Sequence, residues 1–249
     1  MRFINLHTHH IQADDSLYIL SNRFGYDKGV ITTSPFSVGI HPWDSELINP
    51  AMIKDLEILI THPNCYAIGE CGIDKLITTP LIKQTELFKM QLQLATKYKK
   101  PVIIHCVKAF QEIIEICRPY LGTIPLIIHG FNKSEKLAKQ LTDKGFYLSM
   151  HPGIITKNNF NLKALPIDHL FLETDDNPLI LIQNIYNEVA IRCARRALYF
   201  DKSSRRASSS SDSLKCIAPA LSAAWLTFVA PGIVTTASPW KWITQFSAT

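Results

Sequence analysis

The chain has 249 residues and a formal net charge of +5, with 47% of its residues hydrophobic and 19% charged. That length suits one large α/β domain with a sizeable core, and the six cysteines, with no CxxC motif among them, exclude a disulfide framework and read as free thiols in a reducing compartment. The surplus charge is local: residues 190–249 hold eight Lys or Arg against two acids, which leaves residues 1–189 one charge negative and excludes the basic stripe of a long nucleic-acid footprint.

No apolar leader precedes the first strand, so the chain is read as cytoplasmic. Phe3 to Leu6 is a short apolar run that ends in His7-Thr8-His9, and in a strand the two histidines point the same way at the carboxyl end. Apolar runs near residues 17 and 36 follow, the second ending in His41-Pro42-Trp43. Pro50 to Ile60 has helical spacing with Pro in its first turn. Cys65 to Gly69 is a strand ending in Glu70, and 85–99 is a helix with Leu87, Met90, Gln91 and Leu94 roughly on one side. Pro101-Val102-Ile103-Ile104 is a continuous apolar run, as in a strand covered on both faces, and stops at His105. A helix over 109–121 leads to Leu126-Ile127-Ile128 and His129. Ser134 caps a helix over 135–144 closed by Gly145, and strands at 146–150 and 170–172 follow, the last running into Glu173-Thr174-Asp175.

Strand and helix alternate, which specifies parallel strands with helical crossovers. The count of up to eight strands, with His7, His9, His41, Glu70, His105, His129 and Asp175 all at or just past strand ends, selects a (β/α)8 TIM-type barrel whose active site lies at that mouth. The connections around 10–16 and 23–35 are too short for full crossover helices, so the early barrel is shortened. Singly, each polar residue has an ordinary explanation as a rim hydrogen bonder or turn former. Collectively, four histidines and two acids at one mouth would be costly to bury without a cation, and they exceed what one tetrahedral ion uses. Two divalent ions sharing a carboxylate account for them. Zinc, manganese and magnesium all suit such donors.

At this point the chain resembles the TatD family of metal-dependent deoxyribonucleases and related hydrolases, on Asn5-Leu6-His7-Thr8-His9, Val38-Gly39-Ile40-His41-Pro42-Trp43, Ile68-Gly69-Glu70-Cys71-Gly72-Ile73-Asp74, Pro101 to His105, Ile127-Ile128-His129-Gly130-Phe131 and Leu172-Glu173-Thr174-Asp175. The resemblance implies that His7, His9 and Asp175 hold one ion, His105 and His129 the other, and Glu70 bridges them, with Glu70 and Asp175 as the catalytic pair. It also implies hydrolysis of a phosphate ester, DNA ends being the usual substrate. His41, Lys75, Lys108 and Lys133 are the candidate substrate contacts. A metal-dependent hydrolase of small esters, lactones or amides is the alternative activity, and an inactive truncated member a third.

Two departures stand out. The family's first motif usually starts with Asp where this chain has Asn5, a position expected to alter only a hydrogen bond behind the ligands. Near Ile191, where the family continues into a closing helix, the sequence turns to Arg192-Cys193-Ala194-Arg195-Arg196, a Ser-rich stretch and an uncharged run from Cys216 to Trp240. The chain is therefore divided into a barrel over 1–190 and an atypical tail over 191–249. Pro219, Pro231 and Pro239 argue against a membrane span in that tail.

Overall fold

The computed structural model describes residues 3–12, 14, 16–25, 33–46, 49–155 and 160–200. Eight strands form one sheet in sequence order: β1 (Ile4–Thr8), β2 (Leu17–Arg23), β3 (Phe36–Gly39), β4 (Cys65–Asp74), β5 (Val102–Val107), β6 (Leu126–Phe131), β7 (Tyr147–Met150) and β8 (Leu170–Leu172). All neighbours pair in parallel. The sheet closes through a parallel bridge between Thr8 and Asp175, in which the His9 N–H donates to the Asp175 carbonyl at 3.0 Å and the Asp175 N–H to the His7 carbonyl at 3.1 Å.

The helices are α1 (Pro50–Ile60), α2 (Leu81–Tyr98), α3 (Phe110–Cys117), α4 (Glu135–Thr142), α5 (Pro152–Ile155) and α6 (Ile182–Phe200). Asn49 caps α1 by accepting the Ala51 and Met52 N–H groups, with Pro50 in the first turn, and Ser134 caps α4 by accepting the Leu137 N–H. α2 starts four residues before the expected Thr85, because Pro80 at its N-cap already fixes the entry. Among the described residues, the segments joining β1 to β2 and β2 to β3 contain no helix, as their lengths require.

The core has two layers. Ile4, Leu6, Ile19, Ala67, Ile103, Ile127 and Phe171 fill the barrel interior. A larger shell, including Phe36, Val38, Ile68, Phe88, Leu92, Ile104, Ile128, Leu148 and Leu172, packs strands against helices. Odd and even positions along β5, β6 and β8 divide between the two layers, the alternation of a strand buried on both faces.

α6 runs past the boundary drawn at residue 190, and the remainder of the tail, from 201, lies outside the described residues. Ile182, Ile185, Tyr186, Val189 and Ala190 of α6 are buried. The Tyr186 hydroxyl donates to the Ile4 carbonyl at 3.1 Å and its ring packs on Phe3 at 5.1 Å, so this helix covers β1 beside the closing seam. Among the described residues no helix is long and apolar enough to cross a membrane.

Candidate active site

Simple alternation delivers some of the polar groups and not others. Ile103 and Ile127 point inward, so His105 and His129, two residues on, do the same. Phe171 likewise puts Glu173 on the inner face. On β1 and β4 the inward positions are Leu6 and Ala67, and strict alternation would turn His7 and Glu70 outward. Both strands carry an irregularity at that point: the register of β1 on β2 slips between Asn5 and Thr8, and that of β4 on β5 between Ile68 and Cys71. A bulge places two successive side chains on one side, which turns His7 and Glu70 into the mouth. Gly69 and Gly72, at φ +142° and +147°, flank Glu70, and a Cβ on them would lie 2.4 Å from the Ile103 carbonyl oxygen and 2.1 Å from that of His105. Only glycine lets β4 approach β5 this closely there.

The result is one cluster. Glu70 Oε1 lies 2.5 Å from His105 Nδ1, 2.7 Å from His129 Nε2 and 3.3 Å from His41 Nε2. Its other oxygen, Oε2, lies 3.5 Å from His7 Nε2 and 3.7 Å from His9 Nε2. Asp175, held at φ +55°, a left-handed conformation Asp tolerates better than most residues, brings Oδ1 to 3.5 Å from His7 Nε2 and 3.6 Å from His9 Nε2.

These distances separate two kinds of neighbour. His105 and His129 hydrogen-bond Glu70 directly, whereas His7 and His9 surround a gap with the two carboxylates. Both ring nitrogens of His7 are buried without a hydrogen-bond partner, and its side chain is 0% exposed. A buried imidazole in that state is costly unless something occupies the gap. The donor atoms of His7, His9 and Asp175, and those of His7, Glu70 and His129, lie within 4.8 Å of one another. Imidazole nitrogens mixed with carboxylate oxygens suit a divalent cation, so the residues present fit a metal centre.

Burial would raise the Glu70 carboxyl, but His129 and the hydrogen bonds from His105, His129 and His41 carry it well below the ordinary range. Burial also opposes the charge on His129, yet Glu70 and then Glu173 raise it well above an ordinary imidazole. Asp175, against its burial, is brought down to about 2, chiefly by the nearby His7 imidazole. His9 is lowered by burial and by His7. His41 is lowered by burial despite Glu70, and its Nδ1 accepts the Trp43 N–H at 3.3 Å. Its Nε2 faces Glu70, and the donor atoms of His41, Glu70 and His105 also lie within 4.8 Å of one another.

Several residues that hold the cluster escaped the sequence reading. Asp74 Oδ2 stands 3.6 Å behind His105 Nε2, and Glu173 Oε1 stands 3.7 Å behind His129 Nδ1 while accepting the Gly130 N–H at 2.6 Å. Carboxylates behind ligating imidazoles orient the ring and raise its basicity. Two buried glutamines of α2 fix the strand ends: Gln91 pairs with both the N–H and the carbonyl of Ile40, beside His41, and Gln84 does the same for Asp74. Glu173 had a signal, since it shares strand parity with Phe171. Gln84 had none.

Of the lysines, Lys75 is paired with Glu112 at 2.6 Å, and Lys108 and Lys133 are exposed just beyond β5 and β6 at the same end of the barrel.

A family model described as TatD-related DNase matches residues 8–191, a span that includes every one of these groups but His7. The chain belongs to the TatD-related DNase family. It is 32% identical over 164 residues to a relative from Cronobacter turicensis named 3'-5' ssDNA/RNA exonuclease TatD, covering 63% of this chain and 62% of that one. It is also 32% identical over 147 residues to the Escherichia coli K12 protein named uncharacterized metal-dependent hydrolase YcfH, covering 56% and 54%. The chain thus spans just over half to about three fifths of the length of these two relatives. A crystal structure of the TatD homologue YJJV from Escherichia coli K12 superposes with a TM-score of 0.69 over 92% of this chain and 98% of that one, at 18% identity, and a TatD-family hydrolase from Entamoeba histolytica with 0.63 over 88% and 96%, at 15%. Both share the barrel.

Proposed function

We propose that the chain is a metal-dependent phosphodiesterase that hydrolyses nucleic acid from its ends, with two divalent ions held by His7, His9 and Asp175 on one side and His105 and His129 on the other, Glu70 serving both. The observation that carries this reading is the buried, unpartnered His7 imidazole facing a gap ringed by Glu70, Asp175 and His9. Zinc, manganese and magnesium fit such a mixed donor set. Divalent ions there supply positive charge that acidifies water and steadies phosphoryl oxygens.

The chain's own groups do the rest. Asp175 is ionised at every working pH and faces the gap, so it is the acceptor for the proton of the attacking water. His41 offers its Nε2 to a phosphate oxygen, displacing its present contact with Glu70. Asp74 and Glu173 keep His105 and His129 turned inward. Lys108 and Lys133 supply local positive charge at the rim of an otherwise near-neutral body, and Lys75 does so when released by Glu112. The near-neutral body favours short single strands over long duplex tracks.

The test is hydrolysis of a short single-stranded deoxyoligonucleotide, labelled at either end in parallel, by the chain and by Glu70→Gln. Hydrolysis abolished by chelator, restored by a divalent ion and missing in Glu70→Gln is the expected result. A folded, metal-loaded chain that leaves the oligonucleotide intact but cleaves a small ester or lactone would overturn it.

A further inference from the structure

Beside the cluster, on the far side of His41, stands Trp43. It is 54% exposed, a large fraction for the biggest apolar side chain, yet it is pinned. Its Nε1–H donates to Asp74 Oδ2 at 2.8 Å, its ring meets His41 edge-on at 4.7 Å, and the Arg23 guanidinium lies 5.2 Å from the ring centre. Arg23 is itself fixed by ion pairing to the buried Asp44, with Nη2 to Oδ1 at 2.7 Å. The other oxygen of Asp74 accepts the Leu76 N–H at 2.8 Å, and Leu76 is 64% exposed. One buried carboxylate thus tethers two exposed apolar residues and backs His105.

Folding gains nothing from leaving an indole open at the mouth of a polar site, and a residue serving only the fold would not need fixing by three neighbours. An immobilised aromatic surface loses little entropy when something stacks on it. The substrate class proposed above carries a flat aromatic base one sugar away from every phosphate. We infer that Trp43 is a nucleobase-stacking platform, with Leu76 at its margin, that binds the base next to the phosphodiester being cleaved; the inference rests on the nucleic-acid reading of the site. Stacking of this kind tolerates any base, because each has a π face, and it requires a base that is free of its duplex partner. The platform therefore selects for unpaired strands without selecting sequence. Asp74 links it to the chemistry, since the carboxylate that fixes the indole also stands behind His105.

The experiment compares wild type, Trp43→Ala and Trp43→Phe on an oligothymidylate and on a strand of the same length carrying tetrahydrofuran abasic units. Loss of one stacked base corresponds to roughly a tenfold rise in KM. Trp43→Ala is expected to show it on oligothymidylate, Trp43→Phe to recover most of it, and wild type to fall to the Trp43→Ala level on the abasic strand. Equal KM for wild type and Trp43→Ala on oligothymidylate would overturn the platform while leaving the hydrolase standing. Binding gives a second readout in chelator: oligothymidylate should quench tryptophan emission of wild type and not of Trp43→Phe. If no strand is cleaved, the hydrolase reading fails and this quench alone decides the platform. Absence of the quench in wild type, or its persistence in Trp43→Phe, refutes it.

Discussion

Asn5 stands where the sequence resemblance leads one to expect Asp, and the structure gives its side chain a definite task. It is 0% exposed and lies on the outer side of β1, at the seam where the barrel closes. Its Nδ2 donates to Thr174 Oγ1 at 2.8 Å and its Oδ1 accepts the Thr174 N–H at 3.0 Å. Asn5→Ala removes both bonds and leaves the N–H of Thr174, itself 1% exposed, without a partner. An unsatisfied buried N–H costs about 1–3 kcal/mol and the second bond about 1 kcal/mol, so a loss of about 2–4 kcal/mol is expected. For a domain of this size each kcal/mol moves Tm by about 2–4 °C, which gives a fall of about 5–15 °C. Asn5→Asp should lose less than half as much: both carboxylate oxygens accept, the Thr174 hydroxyl rotates to donate, and charge-assisted bonds offset part of the burial cost. Because Thr174 leads directly into Asp175, Asn5→Ala should also weaken divalent-ion binding. Thermal denaturation by circular dichroism in chelator, followed by ion titration, measures both. A Tm within about 2 °C of wild type for Asn5→Ala would mean that the backbone bridge alone closes the barrel and would refute the reasoning.

Glu173→Gln keeps the acceptor for the Gly130 N–H but removes the charge behind His129. Ion affinity measured by calorimetry should fall about 10–100-fold with the fold intact, and an unchanged affinity would remove Glu173 from the site. Loading should also release a proton. Glu70 raises His129 well above an ordinary imidazole, whereas a ligand must be neutral, so apparent affinity climbs with pH until the raised value is passed. Above the ordinary imidazole range, calorimetry in buffers of different ionisation enthalpy should find net proton release on loading, and its absence would contradict the assignment. The sign for stability is opposite: protonated His129 stabilises the metal-free fold below the ordinary imidazole range, and that contribution is lost as pH rises through the raised value.

The barrel was legible because its strands announce themselves as apolar runs of three to five residues, each stopping at a polar group, and because crossovers of helical period lie between the strands from β3 to β7. The inward direction of His105 and His129 was legible too, since strict alternation carries it from Ile103 and Ile127. His7 and Glu70 came out on the correct side for an incomplete reason. Alternation from Leu6 and Ala67 points them outward, and it is the slips in β1 and β4 that turn them in. Gly69 inside a strand was the available sign of a bulge on β4. Nothing comparable marks β1. Gln91 was read on the apolar side of its helix and Gln84 was not singled out; the clamps of both were hidden because only docking of the helix shows which strand end an amide faces.

The order in which these features depend on one another explains why the site tolerates so little rearrangement. His7 and Asp175 belong to opposite margins of the seam, so their 3.5 Å approach exists only when the barrel is closed. Glu70 reaches the same point only because β4 bulges against β5, and that bulge is permitted by two glycines that lie against β5. An ion seated among them would therefore bind to folded chain alone, and its binding free energy would count wholly toward the closed barrel. The buried nitrogens of His7, costly to the metal-free chain, are the same atoms through which that gain is made. Affinity for the ion and stability of the seam are in this sense one quantity, which is why substitutions at Asn5, on the outer side of β1, and at Glu173, behind His129, are expected to register in ion binding.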